Sequence, residues 1–146
     1  MPTLNKTIAQ LNHLISACSE GEMIYRDCAQ RTQSATHRFV FESLALQLAG
    51  LATQATEQVS EYGGRAHPQA SVAGSLHCGW QQLKSSLVQI NDSDLVDAGL
   101  KVEPLISNRF QALVDEDLDP LFRQQLIDLY EAWAIEQKQL CALVNG

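Results

Sequence analysis

At 146 residues the chain has the length of one domain and can bury about 70% of its unfolded surface without disulfide or metal staples. Hydrophobic residues at 45%, charged residues at 18% and only four prolines exclude a mainly disordered chain. Ten Lys and Arg against seventeen Asp and Glu leave a net charge of −7, so there is no basic footprint for nucleic acid or an anionic membrane.

Leu4, Ile8, Leu11, Ile15, Cys18, Tyr25 and Ala29 recur at steps of three and four, which predicts a long amphipathic helix ending within residues 30–36. Thr32 and Ser34 offer N-caps to a second helix carrying Phe41, Leu44, Leu48, Leu51, Ala55 and Tyr62, and Gly63-Gly64 stop it. After a loop over Arg65 to Ala70, Ser71 caps a shorter helix of about five turns through Val72, Leu76, Trp80, Leu83 and Leu87. Asn91 to Asp94 form a capping cluster ahead of a fourth helix marked by Leu95, Val102, Ile106 and Leu113, which Pro104 should kink near its middle. Asp119-Pro120 open a last helix with Phe122, Leu126, Leu129, Trp133, Leu140 and Leu143. No segment alternates with period two, so the class is all-α. Two short-turn helix pairs joined by one long connection match the connectivity of ferritin-like antiparallel four-helix bundles, here with a short extra helix in the crossover and one domain over 1–146.

The start of the chain has one Lys and no signal-length apolar run, and no stretch of about 18 apolar residues occurs, so the expectation is a soluble cytoplasmic protein. Cys18, Cys28, Cys78 and Cys141 lack zinc spacing and read as reduced, mostly buried thiols. Cys18 and Cys28 are about 15 Å apart along one helix, which excludes a disulfide between them unless the helix breaks.

Heptad steps along the first helix place Glu22 on the apolar seam, and the same steps along the last helix place Glu136 between Trp133 and Leu140. An ionised carboxylate in a core is costly unless it is paired, hydrogen-bonded or bound to metal. Gln58 on the second helix and Glu103 and Arg109 on the fourth are the candidate partners, and Glu103 falls near the level of residues 134–137. A di-iron bundle takes Glu from two helices and Glu-x-x-His from the other two. Glu-x-x-His does not occur here, which argues against a complete di-iron centre; a carboxylate-rich iron or manganese site would rest on Glu22, Glu103 and Glu136, with His77 as its imidazole.

Leu11-Asn12-His13-Leu14-Ile15, Cys18-Ser19-Glu20-Gly21-Glu22 and Gly74-Ser75-Leu76-His77-Cys78-Gly79-Trp80-Gln81-Gln82-Leu83-Lys84 together resemble an uncharacterised bacterial family of ferritin-like four-helix-bundle proteins. The similarity runs from about Leu11 to the last helix, and the L-H-x-G-W element is its specific part. The resemblance implies a ferritin-like fold of unknown function. Gln54 stands where family members often have Glu, and residues 99–103 are less acidic than theirs, while Glu22 and Glu103 match acidic positions.

His77, beside Gly79 and Trp80, reads first as a group locking the crossover helix to the bundle and second as a ligand. Asp115 to Asp119 imitates an EF-hand start but has Pro120 where Gly is required and Leu126 where the bidentate Glu should stand, so it is a solvated turn. No nucleophile elbow and no phosphate-binding glycine loop appears. The leading expectation is a non-catalytic bundle with a binding, assembly or stress-related accessory role, acting as a homodimer. The rival is a metal-storing or oxidase-like metalloprotein. A redox-sensing thiol protein is a third class that would need an intersubunit or different cysteine pair.

Overall fold

The structure is a computed structural model that describes the backbone of residues 2–66, 75–85 and 89–144, and the side chains of 4–66, 79–85 and 89–143. Among the described residues every regular element is helical: α1 (Pro2–Arg31), α2 (Ala35–Glu61), α3 (Ser75–Ser85), α4 (Asp92–Leu100), α5 (Val102–Val114) and α6 (Pro120–Val144). No helix of the described residues is long and apolar enough to cross a membrane.

The caps follow the local chemistry. Ser34 accepts the His37 N–H and opens α2. Its fellow candidate Thr32 instead donates its hydroxyl to Asp92, tying the α1–α2 turn to the start of α4. Gly63 adopts a φ of 82°, the left-handed conformation that closes α2 as expected. Asn91 and Asp94 form a reciprocal capping box at α4, and Asp119 accepts the Phe122 N–H at α6.

One expectation is corrected. The fourth helix is not kinked mid-length at Pro104; it divides at Lys101 into α4 and α5, with Pro104 in the first turn of α5. Pro104 has no N–H for the Leu100 carbonyl, so the ladder breaks ahead of the ring and the proline sits where its missing donor costs least. Of the expected third helix, α3 comprises the 11 described residues, while the Ser71 cap and the Val72 and Leu87 positions lie outside the described residues.

Contacts along the helices set their directions. Lys6 pairs with Glu116, and the Cys28 thiol reaches the Leu95 carbonyl, so α4–α5 runs antiparallel to α1. The Asp119 N–H donates to the Tyr62 hydroxyl, while Gly99 lies against both Phe41 and Leu140, so α6 runs antiparallel to α2. Thus α1 and α6 point one way and α2 and α4–α5 the other. All enclose one core that includes Leu11, Leu14, Phe41, Leu48, Ile106 and Trp133.

Candidate functional site

The centre of this core is polar, and it is not where heptad steps placed it. On α6 the buried residues are Phe122, Leu126, Trp133, Gln137 and Leu140, whereas Glu136 is half-buried. The fully buried Leu126 and Trp133 set the inward direction of α6. Eleven residues make about three turns of a 3.6-residue helix, so Gln137 falls nearly in line with Leu126 while Glu136 is turned to the side. On α1 the buried arc centres on Leu14, Cys18, Gly21, Tyr25 and Cys28, which leaves Glu22 at its edge.

Three side chains satisfy one another in that centre. The Tyr25 hydroxyl donates to Gln137 Oε1 at 2.5 Å and accepts from Trp133 Nε1 at 3.2 Å, and Gln137 Nε2 donates to the Gly99 carbonyl at 3.1 Å. Burial pushes the Tyr25 phenol well above its ordinary range, against the opposing bond from Trp133, so it remains neutral. Tyr130 connects this cluster to the edge of the molecule: its ring stacks on Phe110 at 3.9 Å, and its hydroxyl meets Ser107 at 2.8 Å, which in turn donates to Glu103.

The predicted carboxylates are dispersed. Glu22 is half-buried, pairs with Arg26 one turn along at 2.8 Å and lines a small α1–α2 groove with Ser19, Ala52, Thr56 and Glu57. Glu103 is exposed, as is Arg109, the other candidate partner on the fourth helix. Gln58 is buried on α2 as expected. Glu20, passed over in the sequence, is buried at 7% exposure, because the broad buried face of α1 extends past the single seam. The side chain of His77 lies outside the described residues. Among the described residues no three His, Cys, Asp or Glu side chains form a group that could hold a metal ion, and the central Tyr25–Trp133–Gln137 cluster has no carboxylate to offer one. The described donors of that central cluster, a phenol, an indole and an amide, do not fit a carboxylate metal centre.

The crossover helix is fastened by a contact that periodicity could not reveal. Trp80 Nε1 and Lys84 Nζ, four residues apart on one face of α3, both donate to Asp27 Oδ2, at 2.9 and 2.7 Å. Partial burial would raise the Asp27 carboxyl, but these two bonds and the charges of Lys84 and Arg31 outweigh it and hold it below its ordinary range. Trp80 itself is 3% exposed. The packing role that L-H-x-G-W suggested therefore falls, for the described side chains, on its tryptophan.

Between α3 and the α4–α5 pair lies an open groove of about 840 Å³, floored by Ile24 and walled by Trp80, Leu83, Ala98 and Leu105. Among the described side chains no cysteine lines it. Cys18 and Cys28 are buried free thiols, and Cys141 is exposed. Burial, then the Asp27 charge, push Cys28 up to about 12, and burial with the Glu22 charge raises Cys18 further still.

A packed helical core with a hydrogen-bonded polar centre and a clamped crossover helix places the molecule among all-α domains. The chain belongs to the family described as Domain of unknown function (DUF2383), whose model matches residues 6–116. That span runs from α1 to the turn after α5 and stops short of α6. No curated protein and no solved structure matches the chain. The family membership agrees with the resemblance drawn from the sequence motifs in that both point to a family of unknown function, and its description assigns no activity.

Proposed function

We propose that this chain is a ferritin-like four-helix bundle without catalytic chemistry, which acts by binding, as an assembly or stress-related accessory protein of the cytoplasm, and pairs as a homodimer. The observation that carries this reading is the bundle centre. Tyr25, Trp133 and Gln137 use their polar atoms on one another and on Gly99, at the depth where a metal-holding bundle needs carboxylates. The opposed directions of α1 and α6 against α2 and α4–α5, with α3 in the long connection, support the ferritin-like topology. Phe39 and Leu46, at 71% and 65% exposure two turns apart on α2, are two exposed apolar side chains that pairing would cover.

The test is elemental analysis of protein purified without chelator and again after anaerobic loading with iron or manganese, combined with sedimentation. The expected result is substoichiometric metal before and after loading, and a dimer that Leu46→Glu dissociates. Stoichiometric metal lost in Glu22→Ala or Glu136→Ala would overturn the non-catalytic reading. The second reading, iron or manganese held by Glu22, Glu103, Glu136 and His77, draws support from the proximity of Glu103 to Tyr25, whose phenol it helps to raise.

A further inference from the structure

We propose that the groove between α3 and α4–α5 is a binding site for a small organic cation, an ammonium group carried on an apolar chain or ring. The inference deepens the reading of this protein as a binding bundle and rests on it.

The groove has the dimensions of a ligand site. At about 840 Å³ it lies within the roughly 300–1,000 Å³ range of small-molecule pockets. Its interior suits an apolar body: Ile24 from α1, Leu83 from α3, and Ala98 and Leu105 from α4 and α5 face one space. The Asp27 clamp keeps that space open, because it draws Trp80 and Lys84 toward α1 rather than toward α4.

The charge of the ligand follows from the rim. Asp94 and Asp97 line the groove three residues apart, on one face of α4. One oxygen of Asp94 is committed to the Asn91 N–H in the capping box, while the Asp97 carboxylate has no hydrogen-bond or ion-pair partner among the described residues. Lys101 is the lone cation among the described groove-lining residues, so the described rim carries net negative charge within a chain of net −7. An ammonium placed there gains from both the local carboxylates and the field of the whole molecule. A carboxylate or phosphate ligand would meet repulsion from both.

The experiment is a titration of the full-length protein at pH 7 with octylammonium, octanol and octanoate, followed by amide chemical shifts. Octylammonium should give saturable shifts confined to α3, α4, α5 and the neighbourhood of Ile24, and bind at least fivefold more tightly than octanol or octanoate. Because Asp97 and Lys101 are both exposed, Asp97→Asn and Lys101→Ala leave the fold intact. The first should weaken octylammonium about fivefold and the second should tighten it, the scale of one charge at a partly solvated contact. Equal affinity for the three octyl compounds, shifts centred elsewhere, or indifference to both variants would overturn the proposal. Sedimentation and metal analysis are read separately. A metal-free dimer with no groove binding defeats only this proposal, whereas stoichiometric metal defeats the reading beneath it.

Discussion

Tyr25 has the most to lose from a single atom. Replacing it with Phe removes the hydroxyl that serves Gln137 and Trp133 and leaves both polar groups buried without that partner. Tyr25→Phe should therefore lower stability by about 1–3 kcal/mol in chemical denaturation, more than the net worth of one hydrogen bond. Two glycines are constrained as tightly by close packing. A Cβ at Gly21 would lie 2.7 Å from Leu48 and 2.8 Å from Val102, and one at Gly99 would lie 2.6 Å from Leu140. Alanine ordinarily gains about 1 kcal/mol over glycine inside a helix. Here overpacking of about 1–3 kcal/mol outweighs that gain, so Gly21→Ala should reduce the denaturation midpoint. Glu22→Leu should change stability by no more than about 0.5 kcal/mol, since it removes only a half-exposed pair with Arg26. Burial keeps Cys18 and Cys28 protonated, so brief alkylation at pH 8 followed by peptide mapping should mark Cys141 and leave these two unmodified until the protein is unfolded.

At the scale of the element, α3 is the part whose position depends on few contacts. Asp27 carries its clamp, and its carboxyl is held below the ordinary value in the folded protein. A depressed carboxylate contributes stability that is present above its unfolded pKa, near 3.9, and is lost as pH falls through the folded value. Amide exchange in α3 should therefore stay slow from pH 7 down to about 4, after correction for intrinsic rates, and accelerate only in more acidic solution. Asp27→Asn should remove that transition and speed exchange in Trp80 to Ser85 at pH 7, because Lys84 then lacks its counter-charge. The break between α4 and α5 follows from Pro104. The Gly99 carbonyl at this break accepts from Gln137, so the divided helix contributes one acceptor to the polar centre.

At the scale of the whole molecule, the helices, their caps and their class were legible because each depends on neighbours within four residues. Ser34, Gly63, Asn91 and Asp119 stand where local hydrogen bonding needs them. The core stripes were legible to within one residue. That single residue mattered, since it exchanged Glu136 for Gln137 and moved Glu22 from the seam to its edge. Heptad counting assumes a repeat that a straight helix does not keep, and the phase of each helix was settled by the neighbours it packs against. The meeting of Tyr25 with Gln137 spans 112 residues, and that of Asp27 with Trp80 spans 53. Nothing local encodes such pairs. Nor does it encode the groove, whose lining comes from α1, α3, α4 and α5. The sequence by itself thus determined an all-helical, acidic chain with defined caps and apolar faces, through short-range backbone chemistry and periodic hydrophobicity. Only the tertiary structure decided which polar side chains face inward, which carboxylate holds the crossover helix and where the chain leaves an open site, because each depends on the rotation and spacing of helices distant in sequence.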